Sequence, residues 1–227
     1  MKIVVINGQA HKGTTHHIAH MLADQLGGEV TEFFLPRDLG AFCIGCAQCI
    51  HKDEALCPHA EALAPITRAM DAADLLIFTT PVYVYHATGQ MKAFLDHYGW
   101  RWIIHRPEPA MFKKQAVVLT TAAGAGMKSA IKDVRDSLFF WGVGRVYTFG
   151  IATHADRYAH MTEKKRRQTE GAVSKIAAKI KSAEGRVKPA LKTRLFFRFY
   201  RRVILPHMQA SDQAYWAKTG LDRRVPW

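Results

Sequence analysis

The stretch "ADLLIFTTPVYVYHATGQMKAFLDHYGW", residues 73–100, joins an apolar run to a helical pattern through a short loop. The run at 75–78 is wholly apolar, which is typical of a parallel strand covered on both faces. Met91, Phe94 and Leu95 then recur at helical spacing within 89–100. This order predicts one βα unit of a parallel sheet.

The same order of strand and helix extends in both directions from this stretch. Further strands are predicted at 2–7, 29–35, 114–124 and 145–152, and further helices at 18–26, 128–142 and 162–183. Right-handed crossovers make the doubly wound arrangement the default, so we expect an α/β fold with a five-stranded parallel sheet and helices on both faces. In such folds the ligand lies at the carboxyl ends of the strands.

The totals predict one α/β domain with an appendage. The chain has 227 residues, of which 48% are apolar, and a net charge of +13. Residues 185–227 contain ten Lys/Arg and two Asp/Glu, a balance of +8, so we divide the chain into a domain at 1–184 and a basic amphipathic extension at 185–227. No apolar run approaches eighteen residues and the apolar start is too short for a signal peptide, so we expect a cytoplasmic protein.

The loop after the first strand, "NGQAHKGTTHH" at 7–17, has the composition of a phosphate site. It matches neither a dinucleotide fingerprint, because position 10 is Ala, nor a P-loop, because Thr14 stands where lysine is required. Its backbone N–H groups, with His11, Lys12 and two threonines at a helix start, could still hold a phosphate monoester. An ordinary capped turn is the alternative.

Two more strand-end loops carry suggestive residues. Tyr83 and Tyr85 follow the third strand behind Pro81, and the small residues "TTAAGAG" at 120–126 end the fourth strand, leaving room for a flat ring. Strand-end packing and a tight turn would explain each loop separately. Three such loops at one sheet edge favour a ligand site.

These loops resemble those of the flavodoxin-like, NAD(P)H-dependent FMN reductase family. "NGQAHKGTT" (7–15) is similar to the family's N-G-S-P-R-x-x-G-x-T loop, and "TPVYVYHATGQMKAFLDH" (80–97) resembles S-P-x-Y-x-x-x-x-x-G-x-x-K-x-F-x-D-R. The first loop departs from the pattern at positions 9–11 and brings its second glycine one position early. The resemblance covers about residues 1–180 and implies a flavodoxin-like fold with bound FMN.

The resemblance also implies site residues and chemistry. FMN carries the hydride chemistry without a catalytic side chain, NAD(P)H is the co-substrate, and a quinone, a flavin or another small molecule accepts the electrons. The expected phosphate contacts are Gln9, His11, Gly13, Thr14 and Thr15. The expected contacts of the isoalloxazine ring are Pro81, Val82, Tyr83, Val84, Tyr85, Thr121, Ala122, Ala123 and Gly124. A non-enzymatic electron carrier and a metal-binding regulatory protein are the alternatives.

All four cysteines lie in an inserted loop at 41–58. Cys43, Cys46, Cys49 and Cys57 have the spacing C-x2-C-x2-C-x7-C, with a proline next. Bacterial ferredoxins use C-x2-C-x2-C for three ligands of a [4Fe-4S] cluster, and the combination with this fold resembles the iron–sulfur flavoproteins. A zinc site and metal-free thiols stay open as alternatives.

Two further patterns are weighed. His16 and His20 have the spacing of a metal pair, but we see no carboxylate or cysteine placed to join them and interpret them as a solvated helix face. Lys92 and Asp96 are expected to form an ion pair on a helix.

The segment "LKTRLFFRFYRRVIL", residues 191–205, is an amphipathic helical pattern with Leu195, Phe196, Phe199 and Val203 on its apolar side. It suits an anionic membrane surface or a neighbouring subunit. No motif for reading nucleic acid accompanies the charge, so we expect no nucleic-acid partner. We favour docking of residues 190–220 on another subunit, and hence a homodimer or higher homo-oligomer.

Overall fold

A five-stranded parallel sheet forms the centre of the computed structural model, which describes residues 1–227. The strand order is β2-β1-β3-β4-β5, the flavodoxin-like arrangement. The predicted fold class is therefore confirmed. The strands are β1 (Lys2–Asn7), β2 (Glu29–Phe34), β3 (Leu75–Thr79), β4 (Gln115–Ala122) and β5 (Arg145–Ala152).

Alternate residues of the central strands face opposite hydrophobic cores. Leu76 and Phe78 of β3 join the core beneath the third, fourth and fifth helices, whereas Leu75 and Ile77 join the core beneath the first and sixth. This is the period-2 alternation of a strand buried on both sides. The helices are α1 (Thr14–Leu26), α2 (Gln48–His51), α3 (Ala60–Ala72), α4 (Gly89–Asp96), α5 (Met127–Phe140), α6 (Glu163–Ala183), α7 (Leu191–Phe199) and α8 (Ala210–Thr219).

Local signals set most helix ends. Helix α1 ends at Gly27, whose φ of 68° is the left-handed conformation that glycine adopts without a Cβ clash. Helix α4 begins where the Thr88 hydroxyl accepts a hydrogen bond from the Met91 N–H, and Lys92 and Asp96 pair on its surface as predicted. Helix α3 was not predicted, and it contains a proline, Pro65. None of the helices has the length and apolar composition that a membrane crossing requires.

The C-terminal segment packs on its own domain, so the prediction that residues 190–220 leave it is wrong. Phe197, Tyr200 and Trp216 are buried in a third hydrophobic cluster against Ile103 and Phe112. The predicted apolar side of the helix is also wrong, because Leu195, Phe199 and Val203 are exposed. Helix α7 continues as a π-helical turn, Tyr200–Ile204, and the hydroxyl of Tyr200 donates to the carbonyl of Ile104 at 2.6 Å.

Candidate functional site

The loops at the carboxyl ends of the strands are tied to one another by backbone hydrogen bonds. The N–H of Gly8 donates to the carbonyl of Thr79 at 2.7 Å, which joins the loop after β1 to β3. The N–H of Val82 donates to Thr121 at 2.8 Å, and the N–H of Thr153 donates to Ala122 at 2.8 Å. Four strands therefore present one continuous polar edge, as the topology predicts.

The start of α1 has unsatisfied donors. Its N-cap residue, Gly13, supplies no side-chain acceptor, and the first turn holds no acidic residue. The first N–H groups of a helix have no partner within the helix, so they attract an anion. Thr14 and Thr15 are buried there, and the hydroxyls of Thr15 and Thr121 share a hydrogen bond of 2.7 Å that links α1 to the end of β4.

An open cleft of about 220 Å³ lies over this helix start and the ends of β3, β4 and β5. The cleft is smaller than the 300–1,000 Å³ typical of ligand pockets, and it opens to solvent. It brings together eleven of the fourteen predicted contacts, leaving out Val84, Tyr85 and Gly124. Its lining consists of Gln9, His11, Gly13, Thr14, Thr15, Pro81, Val82, Tyr83, Thr121, Ala122, Ala123, Thr153, Ala155 and Asp156.

The residues after β5 were missed by the sequence reasoning. Thr153 and Asp156 line the cleft because β5 ends at the same sheet edge as its neighbours. The order of parallel strands could therefore have predicted a contribution from this loop. A hydrogen bond from the ring of His160, at 2.7 Å, lowers the pKa of Asp156 below its ordinary value. The cleft thus carries a negative charge at its β5 side.

The loop after β3 ends in a strained two-residue hairpin. Tyr83 and His86 form an antiparallel bridge, and between them Val84 and Tyr85 have φ values of 47° and 67°. Left-handed conformations are unusual for residues other than glycine, asparagine and aspartate, and for a β-branched residue they are outliers. The carboxylate of Asp133 holds the hairpin by accepting from the N–H of Ala87 at 3.0 Å and contacting His86 at 3.1 Å.

The donors and shapes around the cleft suit FMN. A helix start without an acceptor and buried threonine hydroxyls match a phosphate monoester. Beyond them, Ala122, Ala123 and Gly124 leave the backbone open to a flat ring, and a Cβ added at Gly124 would meet no atom within 4 Å. The predicted ring contacts outside the cleft, Val84 and Tyr85, extend from its rim as exposed side chains.

The cysteine loop lies apart from the cleft, and none of its thiols lines it. Cys43 and Cys46 are exposed, whereas Cys49 and Cys57 are half-buried against the core. Burial raises the pKa of Cys49, and the charges of the other three cysteines raise it further. No three of the four sulfur atoms lie within 4.8 Å of one another.

Long-range contacts hold the cysteine loop in place. The buried guanidinium of Arg106 donates to the carbonyls of Cys49 and of Lys52, the latter at 2.9 Å. Two acidic residues within the loop engage other groups: Asp53 accepts from the Ala55 N–H at 2.8 Å, and Glu54 lies 3.4 Å from Arg106. Their charges are thus partly compensated by local partners.

His16 and His20 do have a carboxylate partner, so their interpretation as a solvated helix face is wrong. The ring of His20 hydrogen-bonds to Glu32 on β2 at 2.7 Å, and the Nε2 atom of His16 lies 3.1 Å from the same oxygen. Helix α1 runs antiparallel to the strands, which brings its first turns beside the end of β2. The spacing of the histidines alone did not reveal this partner, because its position depends on how the helix crosses between the two strands.

Comparisons with known proteins agree with this arrangement. The family model described as NADPH-dependent FMN reductase matches residues 1–156. An iron–sulfur flavoprotein of Methanocaldococcus jannaschii is 33% identical over 99 residues, which are 42% of this chain and half of that relative's length. An NADPH azoreductase of a Bacillus species is 28% identical over 61% of this chain and 68% of its own.

Solved structures show the same fold. The chain superposes on an NADH:FMN oxidoreductase in its apo form with a TM-score of 0.55, at 21% identity, over 85% of this chain and 93% of the other.

Proposed function

The chain belongs to the NADPH-dependent FMN reductase family, and we propose that it is an FMN-dependent oxidoreductase that takes electrons from NAD(P)H. The acceptor is a quinone, a flavin or another small molecule. The observation that carries this proposal is the strand-end cleft, in which an uncapped helix start and small residues meet beside a strained aromatic hairpin. FMN, when bound, supplies the hydride chemistry.

The side chains of this chain bind and orient the cofactor in this proposal. Thr14 and Thr15, with the N–H groups that follow Gly13, hold the phosphate. Tyr83 and the exposed side chains of the hairpin shield the ring, and Asp133 keeps the hairpin closed through its contacts with His86 and Ala87. No side chain needs to donate or accept a proton for hydride transfer.

Two measurements on the flavin-free protein test the proposal. We expect the fluorescence of FMN to be quenched when it binds the protein at micromolar concentration. We expect the loaded protein to oxidise NAD(P)H steadily when a quinone is supplied. Absence of FMN binding would overturn the proposal. FMN binding without NAD(P)H oxidation would indicate the non-enzymatic electron carrier instead.

We also propose that the four cysteines hold a [4Fe-4S] cluster, which would pass single electrons to or from the flavin. The spacing C-x2-C-x2-C-x7-C supports this. An iron–sulfur flavoprotein is also among the relatives. The proposal implies a reducing compartment such as the cytoplasm, where thiols persist.

Anaerobic reconstitution with iron and sulfide tests the cluster. We expect about four irons and four sulfides per chain. Replacing Cys46 by Ser should abolish this incorporation, whereas the matched change Ser129→Ala, outside the loop, should not. Zinc binding without sulfide, or iron incorporation that survives replacement of all four cysteines, would overturn the proposal.

We further propose that α7 rests on an anionic membrane surface. Four apolar side chains spaced four residues apart along α7 and its continuation are about half exposed or more, namely Leu191, Leu195, Phe199 and Val203. Five cations flank this exposed stripe, namely Lys192, Arg194, Arg198, Arg201 and Arg202, and residues 185–211 contain no acidic residue. A second copy would bring like charges together, whereas lipid phosphates complement them.

Co-sedimentation with vesicles tests the membrane contact. We expect binding to vesicles that contain phosphatidylserine, weakening with salt, and little binding to pure phosphatidylcholine. The change Leu195→Gln should reduce binding, and the matched change at another exposed leucine, Leu56→Gln, should not. Equal binding by both variants would overturn the proposal, as would light scattering that shows a dimer dissociated by Leu195→Gln. Homo-oligomerisation itself stays a prediction.

A further inference from the structure

Three potential metal ligands converge where α1 meets the edge strand β2. His16 and His20 lie one turn apart on α1, and Glu32 comes from β2. One ligand atom from each residue lies within 4.8 Å of the other two. The Nε2 atoms of both histidines approach the same carboxylate oxygen, at 3.1 Å for His16 and 2.7 Å for His20.

One of these nitrogen atoms is buried without a hydrogen-bond partner. His16 is only 8% exposed, and its Nε2 atom makes no well-aligned hydrogen bond despite its distance to Glu32. A buried polar atom normally has a partner, because leaving it unsatisfied is energetically costly. A cation between the three side chains would satisfy this nitrogen and the carboxylate together.

Charge and burial favour such an occupant. The His16 ring is buried, and burial is the main reason that its pKa is lowered. Burial disfavours the charged form of Glu32, but its contacts with His20, His16 and Asn7 together outweigh burial, and the pKa of Glu32 is lowered. Two imidazole nitrogens and one carboxylate oxygen thus converge on one point.

The chemistry of this set defines its ligand. Two imidazole nitrogens at i and i+4 on a helix, with one carboxylate, form the His₂Glu set that zinc uses when a fourth position stays open to water. Imidazole ligands suit zinc and its neighbours among the divalent transition metals, whereas Mg²⁺ and Ca²⁺ prefer oxygen ligands. The cluster contains no thiol, so it is chemically distinct from the cysteine loop.

We propose that His16, His20 and Glu32 bind a divalent transition-metal ion of the zinc class. The ion joins α1 to β2 near the helix start that borders the cleft. It stabilises the contact between the edge strand and this helix, and a water molecule completes its coordination. The site does not depend on bound flavin.

The test uses the full-length chain with all four cysteines replaced by Ser, so that thiols do not compete for the metal. Calorimetric titration with Zn²⁺ should show one ion per chain. His20→Gln and Glu32→Gln should each weaken binding at least about 100-fold, because even the loss of an outer-shell partner costs 10- to 100-fold. The matched controls His17→Gln and Glu29→Gln, at exposed neighbours on the same helix and strand, should bind as the background chain does.

Thermal unfolding gives a second readout. At a free Zn²⁺ concentration 100 times the Kd, we expect the unfolding midpoint to rise by about 5–10 °C in the background chain and not in Glu32→Gln. If the chain without cysteines does not fold, the experiment is done on the unaltered chain by NMR of the histidine nitrogens. Zn²⁺ should then shift the Nε2 signals of His16 and His20. Absence of binding, or equal binding by the cluster variants and the controls, would overturn the proposal.

Discussion

Replacing Val84 and Tyr85 by Asn and Gly should stabilise the protein and weaken FMN binding. These two residues form the turn of the hairpin between Tyr83 and His86, and both have positive φ. Hairpin turns of this kind favour Asn-Gly, because asparagine and glycine tolerate the left-handed conformation. Val84 is 94% exposed and Tyr85 is 66% exposed, so little packing compensates for the strain.

The magnitude follows from two opposing effects. A left-handed conformation costs an ordinary residue about 1–2 kcal/mol, so the two residues together store about 2–4 kcal/mol. Asparagine at position 84 relieves only part of the strain there. Glycine at position 85 also raises the conformational entropy of the unfolded chain, which offsets about 0.4–1 kcal/mol of the gain. We therefore expect the free energy of unfolding to rise by about 1–2 kcal/mol, and the midpoint by about 2–8 °C.

Urea unfolding of the flavin-free protein and fluorescence titration with FMN measure the two effects. We expect FMN affinity to fall about two- to tenfold, because an aromatic contact contributes about 0.5–1.5 kcal/mol beyond its buried area. The control Ala47→Gly relieves another positive φ, of 54°, and should stabilise the protein without changing FMN affinity. A more stable hairpin variant with unchanged affinity would refute the role of the hairpin in flavin binding.

Three other changes have defined outcomes. Thr15→Val should weaken FMN binding by about 1–3 kcal/mol in a fluorescence titration, because Thr121 also loses its partner; Thr15→Ser should not, and equal losses would contradict this. Asp71→Asn should lower the free energy of unfolding, measured with urea, by about 2–3 kcal/mol, because it leaves the buried guanidinium of Arg101 without its two-point ion pair. A loss below about 1 kcal/mol would contradict this prediction. Burial lowers the pKa of His97, so protonation favours the unfolded chain, and the free energy of unfolding should fall as the pH drops below the ordinary value of 6.5. In urea titrations at several pH values, His97→Asn should flatten this dependence on pH. An unchanged dependence would count against the prediction.

The sheet was predictable because its signals are local. The sequence of a strand that is covered on both faces is a continuous apolar run. The run at 75–78 is buried on both sides, as expected. The strand-end loops were predictable for the same reason, since the topology then decides which edge they share. Helix α3 was not predicted, although Leu63, Ile66 and Met70 recur at helical spacing on its buried face, because it contains Pro65 and a proline usually ends or breaks a helix.

The contacts of the C-terminal segment were not predictable from its own periodicity. The stripe with the strongest pattern is exposed, and the buried face contains Phe197 and Tyr200 instead. Their partners are Trp216, Phe112 and Ile103, which are distant in the sequence. Which face of an amphipathic helix is buried depends on such partners, and a pattern of spacing does not identify them.

The same segment determines how the cysteine loop is held. The side-chain amide of Gln209 donates to the carbonyl of Ile50 at 2.6 Å, and its oxygen lies 3.1 Å from the ring of His51. Together with those of Arg106, these contacts hold the loop against the rest of the chain. Gln209→Ala should therefore loosen the loop and reduce the iron retained after reconstitution, while FMN affinity stays unchanged because the cleft shares none of these contacts. A parallel loss of FMN affinity would mean that the loop and the cleft are coupled through the core rather than held independently.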